Sequence, residues 1–303
     1  MPITHRKYKH TPNDLAKVQN ALANWIHLTD NTLYIHVGDI PHRIYNGQRG
    51  RYPVHDLMSI WENKSGEIVA FSMHQPRHKL WEIYLHPAMR GGDLEREICH
   101  HAEQSTLALM DDDAEKIESA CFEADEHRKT LLQAMGYDIP PVDLAYTERS
   151  LLTELPHKTL ADGFTIRRST MDDMRLLGDV HGSAFGTAWT DEEYTHVMTS
   201  PGYSPEREVV VVAPDGTFAA FTVYWVDTVN RVGSFEPVGV HKDYHRKGLA
   251  SALMVHVMRL MRDEGMTVAN VGHALDNEAS TGLYASLGFK RFTADTLASK
   301  IIK

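Results

Sequence analysis

Two cysteines in 303 residues leave nothing to build a disulfide framework from, and Cys99 and Cys121 lack the CxxC spacing of a redox or zinc pair. No stretch approaches the ~18 uninterrupted apolar residues of a membrane span. The N-terminal MPITHRKYKHTPNDL has no apolar core of a secretory leader. Positive charge is scarce: 31 Lys and Arg stand against 41 Asp and Glu, a formal net charge of −10. That balance argues against nucleic acid as the main partner, because backbone binding needs clustered cations to displace counterions. Histidine is frequent, at 19, but no HExxH or Cys/His array at zinc spacing occurs. These absences predict a reduced, cytoplasmic protein without a metal or membrane partner, of a length that suits two ordinary domains.

The second half has the plainer pattern. Phe164–Arg168 reads as a short strand and Met171–Gly182 as a helix. Thr190-Asp-Glu-Glu193 has the form of a capping box that opens a helix reaching about Met198. EVVVVA and FAAFTVYWV, separated by Pro214-Asp215-Gly216, read as a hairpin, and Val232–Val240 as a further strand. Apolar residues at 249, 253, 257, 260 and 261 then follow helical period until Gly265. A strand over 267–272, a helix over 280–287 and a strand ending near Ile302 complete the series. The expected architecture is α/β or α+β, with a mixed, mostly antiparallel sheet flanked by helices.

The first half repeats this order. DLMSIWE and EIVAFSM repeat the hairpin, and LWEIYLHPAMRGGDLEREICHHAEQSTLALM repeats the following strand, loop and long helix. Asp125–Tyr137 lies position for position over Asn277–Phe289, and Leu85–Arg90 over Val240–His245. The expected division is a duplication, 1–155 and 156–303, with the boundary in the polar stretch near 153–162.

Chemistry concentrates in EPVGVHKDYHRKGLASALM, residues 236–254, where a strand runs through a basic loop into a helix. Gly248 lets the backbone approach a ligand, and the first free N–H groups of the helix converge there. The helix dipole, with Arg246 and Lys247, favours an anion such as a pyrophosphate. Alone, this loop is compatible with an ordinary exposed connection. NEASTGLYASLGF, residues 277–289, follows it at a fixed order and distance. Together the two motifs resemble the GNAT superfamily of N-acetyltransferases. The family's Arg/Gln-x-x-Gly-x-Gly/Ala loop stands here as His245-Arg246-Lys247-Gly248-Leu249-Ala250, with His245 departing from the usual Arg or Gln. The second element stands as Asn277, Ser280, Tyr284, Gly288 and Phe289.

The resemblance, which covers about residues 164–292, implies an acetyl-CoA site. Val238, Gly239 and Val240 would pair with the pantetheine arm. N–H groups from Arg246 to Ala250, with Ser251, would cradle the pyrophosphate, and Asn277 would bond the cofactor. Tyr284 would protonate the leaving thiolate, a task that suits a phenol of pKa ~10. An amine would attack the acetyl carbonyl, with a strand N–H stabilising the oxyanion. Glu236 is the leading base, since alternation sets it on the face of Val238 and Val240; a solvated strand-end carboxylate is the plainer alternative. His273 is a second candidate, and water a third. Trp189, Tyr194 and Tyr203, with Asp191, Glu192 or Glu193, are expected to shape the acceptor pocket, although acids at a helix start also favour the dipole. In the first half Asp93 and Glu95 stand where Gly248 and Ala250 do, Asp125 replaces Asn277 and Leu132 replaces Tyr284. Carboxylates at that helix start repel a pyrophosphate, so the first half is expected to be GNAT-like without a CoA site. The acceptor is a small-molecule or peptide amine, in a monomer or homodimer. An acyl-CoA-binding sensor without turnover is the alternative, and an assembly scaffold a third class.

Overall fold

The structure, a computed structural model, describes residues 3–29 and 32–303. It divides into two compact units, Met1–Ala145 with Thr293–Lys303, and Tyr146–Phe292. The division therefore falls earlier than 155/156, and the last residues of the chain join the first unit. The cause is strand pairing: Asp295–Ile301 run antiparallel to Lys116–Phe122.

The first unit contains β1 (Thr4–Lys7), α1 (Pro12–His27), a short α2 (Asp39–Pro41), β2 (Met58–Glu62), β3 (Ile68–Gln75), β4 (Leu80–Leu85), α3 (Asp93–Leu107), β5 (Lys116–Phe122) and α4 (Glu126–Ala134). Its sheet runs β1–β2–β3–β4–β5, with the chain's final strand beyond β5. All the pairs are antiparallel except β4 with β5, which pair only through Leu80↔Glu118 and Trp81↔Ser119. Trp81, Ile98, Ala102, Ile117 and Leu132 centre its core.

The second unit begins within β6 (Leu144–Ser150) and continues with β7 (Thr165–Arg168), α5 (Met174–Phe185), α6 (Asp191–Met198), β8 (Glu208–Val212), β9 (Phe218–Asp227), β10 (Val232–Val240), α7 (Leu249–Asp263), β11 (Val268–Ala274) and α8 (Glu278–Ser286). The chain ends in β12 (Lys290–Ile301). Strands β6–β11–β10–β9–β8–β7 lie side by side. β10 and β11 are parallel, whereas β10–β9, β9–β8 and β8–β7 are antiparallel. Leu253, Val257 and Met261 recur on the buried face of α7 and are fully covered against Tyr224, Phe235 and Val271. Burial of such a side chain is worth about 1.5–3 kcal/mol, which holds α7 on the strands that carry the site. Among the described residues, no helix is long and apolar enough to cross a membrane.

Candidate active site

β10 and β11 pair only from Val232↔Val268 to Phe235↔Val271. A bulge between Phe235 and Val238 then turns β10 away, and the strand continues along β9 through Val238↔Thr222, Gly239↔Phe221 and Val240↔Ala220. The His241 N–H donates to the Ala219 carbonyl at 3.0 Å. Antiparallel alternation therefore directs residue 239 toward β9 and the backbone groups of Val238 and Val240 into the opening. One of these, the Val240 carbonyl, accepts from His245 Nε2 at 3.1 Å. A Cβ at Gly239 would stand 2.4 Å from the Phe221 ring and 2.9 Å from Ala184, so α5 reaches this strand only over a glycine.

The loop after β10 ends with Arg246 at φ 61° and Gly248 at φ 73°, the N-cap of α7. No side chain caps the helix. Its first internal bond runs from the Ala252 N–H to the Gly248 carbonyl at 3.1 Å, leaving the N–H groups of Leu249, Ala250 and Ser251 without a partner in the helix. His245, Arg246 and Lys247 are exposed beside them. The result is a positive, donor-rich helix start. A cavity of about 510 Å³ joins it to the opening in the sheet. Its lining includes Val238–Val240, His245–Ser251, Asn277 and Tyr284, with Ala184 and Phe185 at one side.

Asn277 caps α8, its Oδ1 accepting the Ser280 N–H at 3.0 Å, and the residue lines the cavity. Tyr284 is 6% exposed. Burial first, and then the Glu236 charge, push its phenol above the ordinary value, against a lowering hydrogen bond with Ser280. The phenol is protonated at neutral pH. The His273 ring stands 5.2 Å from that of Tyr284, with Nδ1 buried and unpartnered, and burial holds its pKa below the ordinary value.

Glu236 needs a correction. Phe235 is in the core beneath α7, and Val238 and Val240 pack against that same core. The extra residue of the bulge breaks the alternation between them, so Glu236 does not owe its place to a shared face. It is half-buried in the bulge, within electrostatic reach of Tyr284, and its carbonyl accepts the Trp225 indole N–H at 3.0 Å. Trp225 is a neighbour of the site that strand periodicity alone did not single out.

The aromatic and acidic residues after α5 have other tasks. Tyr194 and Tyr203 donate to the two oxygens of buried Glu208, at 2.6 and 2.7 Å. The Trp189 ring packs on His181 and Tyr194. Glu193 closes the capping box, its carboxylate accepting the Thr190 N–H while its own N–H donates to the Thr190 hydroxyl, both at 3.1 Å. Asp191 and Glu192 are exposed in the first turn. Tyr194 and Tyr203 thus support the unit from within rather than form a pocket wall.

The corresponding place in the first unit is filled. Glu95, 0% exposed, accepts the Gly91 N–H at 2.8 Å and pairs with Arg128 at 2.9 Å; His127 stands 3.1 Å away. Its carboxylate thus lies at the start of α3, bonded to the loop before the helix and to Arg128. Asp93 is instead exposed beside Arg96, and Asp125 pairs with Arg90. The Tyr34 hydroxyl donates to the Leu85 carbonyl at 2.7 Å, covering the backbone group that corresponds to the one at Val240. Between β4 and β5 there remains a cavity of about 20 Å³, room for about one water.

Residues 174–289 match the family model described as Acetyltransferase (GNAT) family. The mycothiol acetyltransferase of Nocardiopsis dassonvillei is 32% identical over 104 residues, 31% of this chain and 31% of that protein. The match thus spans about a third of that curated relative's length. A GCN5-related N-acetyltransferase from Sphaerobacter thermophilus has a similar structure, with TM-score 0.67 at 18% identity over 99% of this chain and 96% of that one. A tandem GNAT protein from the clavulanic acid biosynthesis pathway gives TM-score 0.65 at 12% identity, over 99% and 98%. At these identities the structural likeness is one of fold.

Proposed function

The chain belongs to the GNAT acetyltransferase family through residues 174–289, and from that premise we propose that its second unit transfers an acetyl group from acetyl-CoA to a primary amine by direct attack. The observation that carries this reading is the cavity that joins an uncapped, basic helix start to an opened pair of strands and a buried tyrosine. In it the N–H groups of Leu249, Ala250 and Ser251, with Arg246 and Lys247, hold the pyrophosphate. Val238 and Val240 pair with the pantetheine amides, and Asn277 donates to the same arm.

Glu236 accepts a proton from the ammonium, and the freed amine nitrogen bonds to the acetyl carbon. A strand N–H of the Val238–Val240 segment meets the charge that builds on the carbonyl oxygen. As the C–S bond breaks, the Tyr284 phenol gives its proton to the sulfur. The surplus proton on the new amide nitrogen restores the phenol, leaving acetamide, CoA thiol and one proton on Glu236. The filled anion position supports a first unit without a CoA site of its own.

The test is thiol release from acetyl-CoA across a panel of primary amines. General acid catalysis is worth about 10²–10⁴-fold, so Tyr284→Phe is expected to lower kcat by about a hundredfold with acetyl-CoA affinity unchanged. Binding without release for every amine would favour a sensor; a Tyr284→Phe variant with full kcat, where chemistry limits the rate, would remove Tyr284 from the mechanism.

A further inference from the structure

The sheet face of the second unit opposite α7 and α8 carries a row of side chains that the transfer steps leave unused. Ser234 pairs with Trp225 on β9 and with Asn270 on β11. The Leu151 N–H bonds the Thr267 carbonyl at 2.8 Å, and the Thr147 hydroxyl bonds the Val271 carbonyl at 3.2 Å. β6 thus runs antiparallel to β11, with Glu148 opposite Asn270. Paired residues share a face, so Trp225, Ser234, Asn270 and Glu148 stand side by side across four strands at the ~4.8 Å strand spacing. Their chain neighbours Tyr224, Phe235, Ala269 and Val271 point the other way, into the core beneath α7 and α8.

The location is specific. Phe235↔Val271 is the last β10–β11 pair before the strands part, so the row lies one residue from the opening. It is on the sheet face opposite α7 and α8, the face on which α5 packs further along at Gly239. Ser234 is 6% and Asn270 7% exposed, yet among the described residues neither the hydroxyl nor the carboxamide has a hydrogen-bond partner. Glu148 is half-buried, also without a partner, and burial raises its pKa. The Trp225 ring is pinned beside them by its bond to the Glu236 carbonyl. None of the three has its polar atoms sealed from solvent, so three groups open to a ligand share a row one residue from the opening.

Resting on the transfer reading above, we propose that this row is the acceptor subsite and that it takes a primary amine carried on a hydroxyl-bearing skeleton. The hydroxyl of Ser234 and the amide of Asn270 each donate and accept, which matches vicinal hydroxyl groups. Glu148 accepts from a further hydroxyl or from the ammonium, and the Trp225 ring packs against the carbon face. A plain alkylamine gives these groups no partner, and a site built to hydrogen-bond rejects an analogue without the bonding groups far more strongly than an apolar site rejects a wrong size.

The experiment compares 2-amino-2-deoxyglucose with cyclohexylamine at saturating acetyl-CoA, in the wild type, Asn270→Leu and Ser234→Ala. The wild type is expected to favour the amino sugar by at least tenfold in kcat/KM. Asn270→Leu should remove most of that preference by raising KM for the amino sugar, with acetyl-CoA affinity unchanged. Ser234→Ala removes one hydroxyl with little change of packing and keeps the comparison open if the leucine variant does not fold. Turnover with equal or reversed preference, or a preference that both variants retain, overturns the subsite and leaves the transfer reading standing. Acetyl-CoA binding with no thiol release from either amine overturns both.

Discussion

The Tyr284 phenol lies where burial and a nearby carboxylate both oppose its ionisation. Its folded pKa is raised, so the stability tied to the neutral phenol is complete below the unfolded value of ~10 and is lost only as pH rises through the folded one. The same sign applies to catalysis: the acid keeps its proton over the whole neutral range. We predict that kcat shows no decline attributable to Tyr284 below pH ~10. A basic limb centred near pH 8 in the wild type, absent from Tyr284→Phe, would contradict that assignment. At this scale much was legible in the sequence. Gly248, Asn277 and Tyr284 are separated in the chain, yet line one cavity, because loop and helix starts follow from local pattern. Glu236 was nominated by a strand alternation that the bulge interrupts, and an irregularity of one residue leaves no period to read. Trp225 was missed because its bond runs to a backbone carbonyl on the neighbouring strand.

Helices α3 and α7 start at corresponding places and treat an anion in opposite ways. α7 starts uncapped after Gly248, and the start of α3 carries Glu95 as a covalently attached anion. Arg128 is buried against that carboxylate, so removing the carboxylate strands a charge. Breaking a buried pair from one side costs about 3–5 kcal/mol. Glu95→Ala is therefore expected to lose roughly that much unfolding free energy in a urea titration, and millimolar phosphate should restore part of it beyond any stabilisation that phosphate at the α7 start gives both proteins. An unchanged midpoint, or equal phosphate response in both proteins, would show that Glu95 is not filling an anion position. The hairpins, the long helices and the Thr190 capping box were readable because period and turn chemistry are local. β6 was not: LAYTERS is short, charged and next to a polar stretch, and its role depends on the partner strand β11.

Across the chain, duplication makes two similar sets of strands, and similarity cannot say which copy a strand completes. Residues 295–301 pair with β5 of the first unit, whereas β6, near the middle of the chain, lies beside β11 in the second. The pairing is set by contacts far apart in sequence, which is why a boundary drawn from composition fell at 155/156. The central claim is that this duplicated chain holds one acyl-donor site, in the second unit, with the other position closed by its own side chains. Calorimetric titration of acetyl-CoA into the wild type and Gly248→Asp tests it most directly, since the variant places a carboxylate at the helix start where the pyrophosphate is proposed to bind. The account predicts one site per chain in the wild type and none in Gly248→Asp. Two sites per chain, or binding that survives Gly248→Asp undiminished, would contradict it.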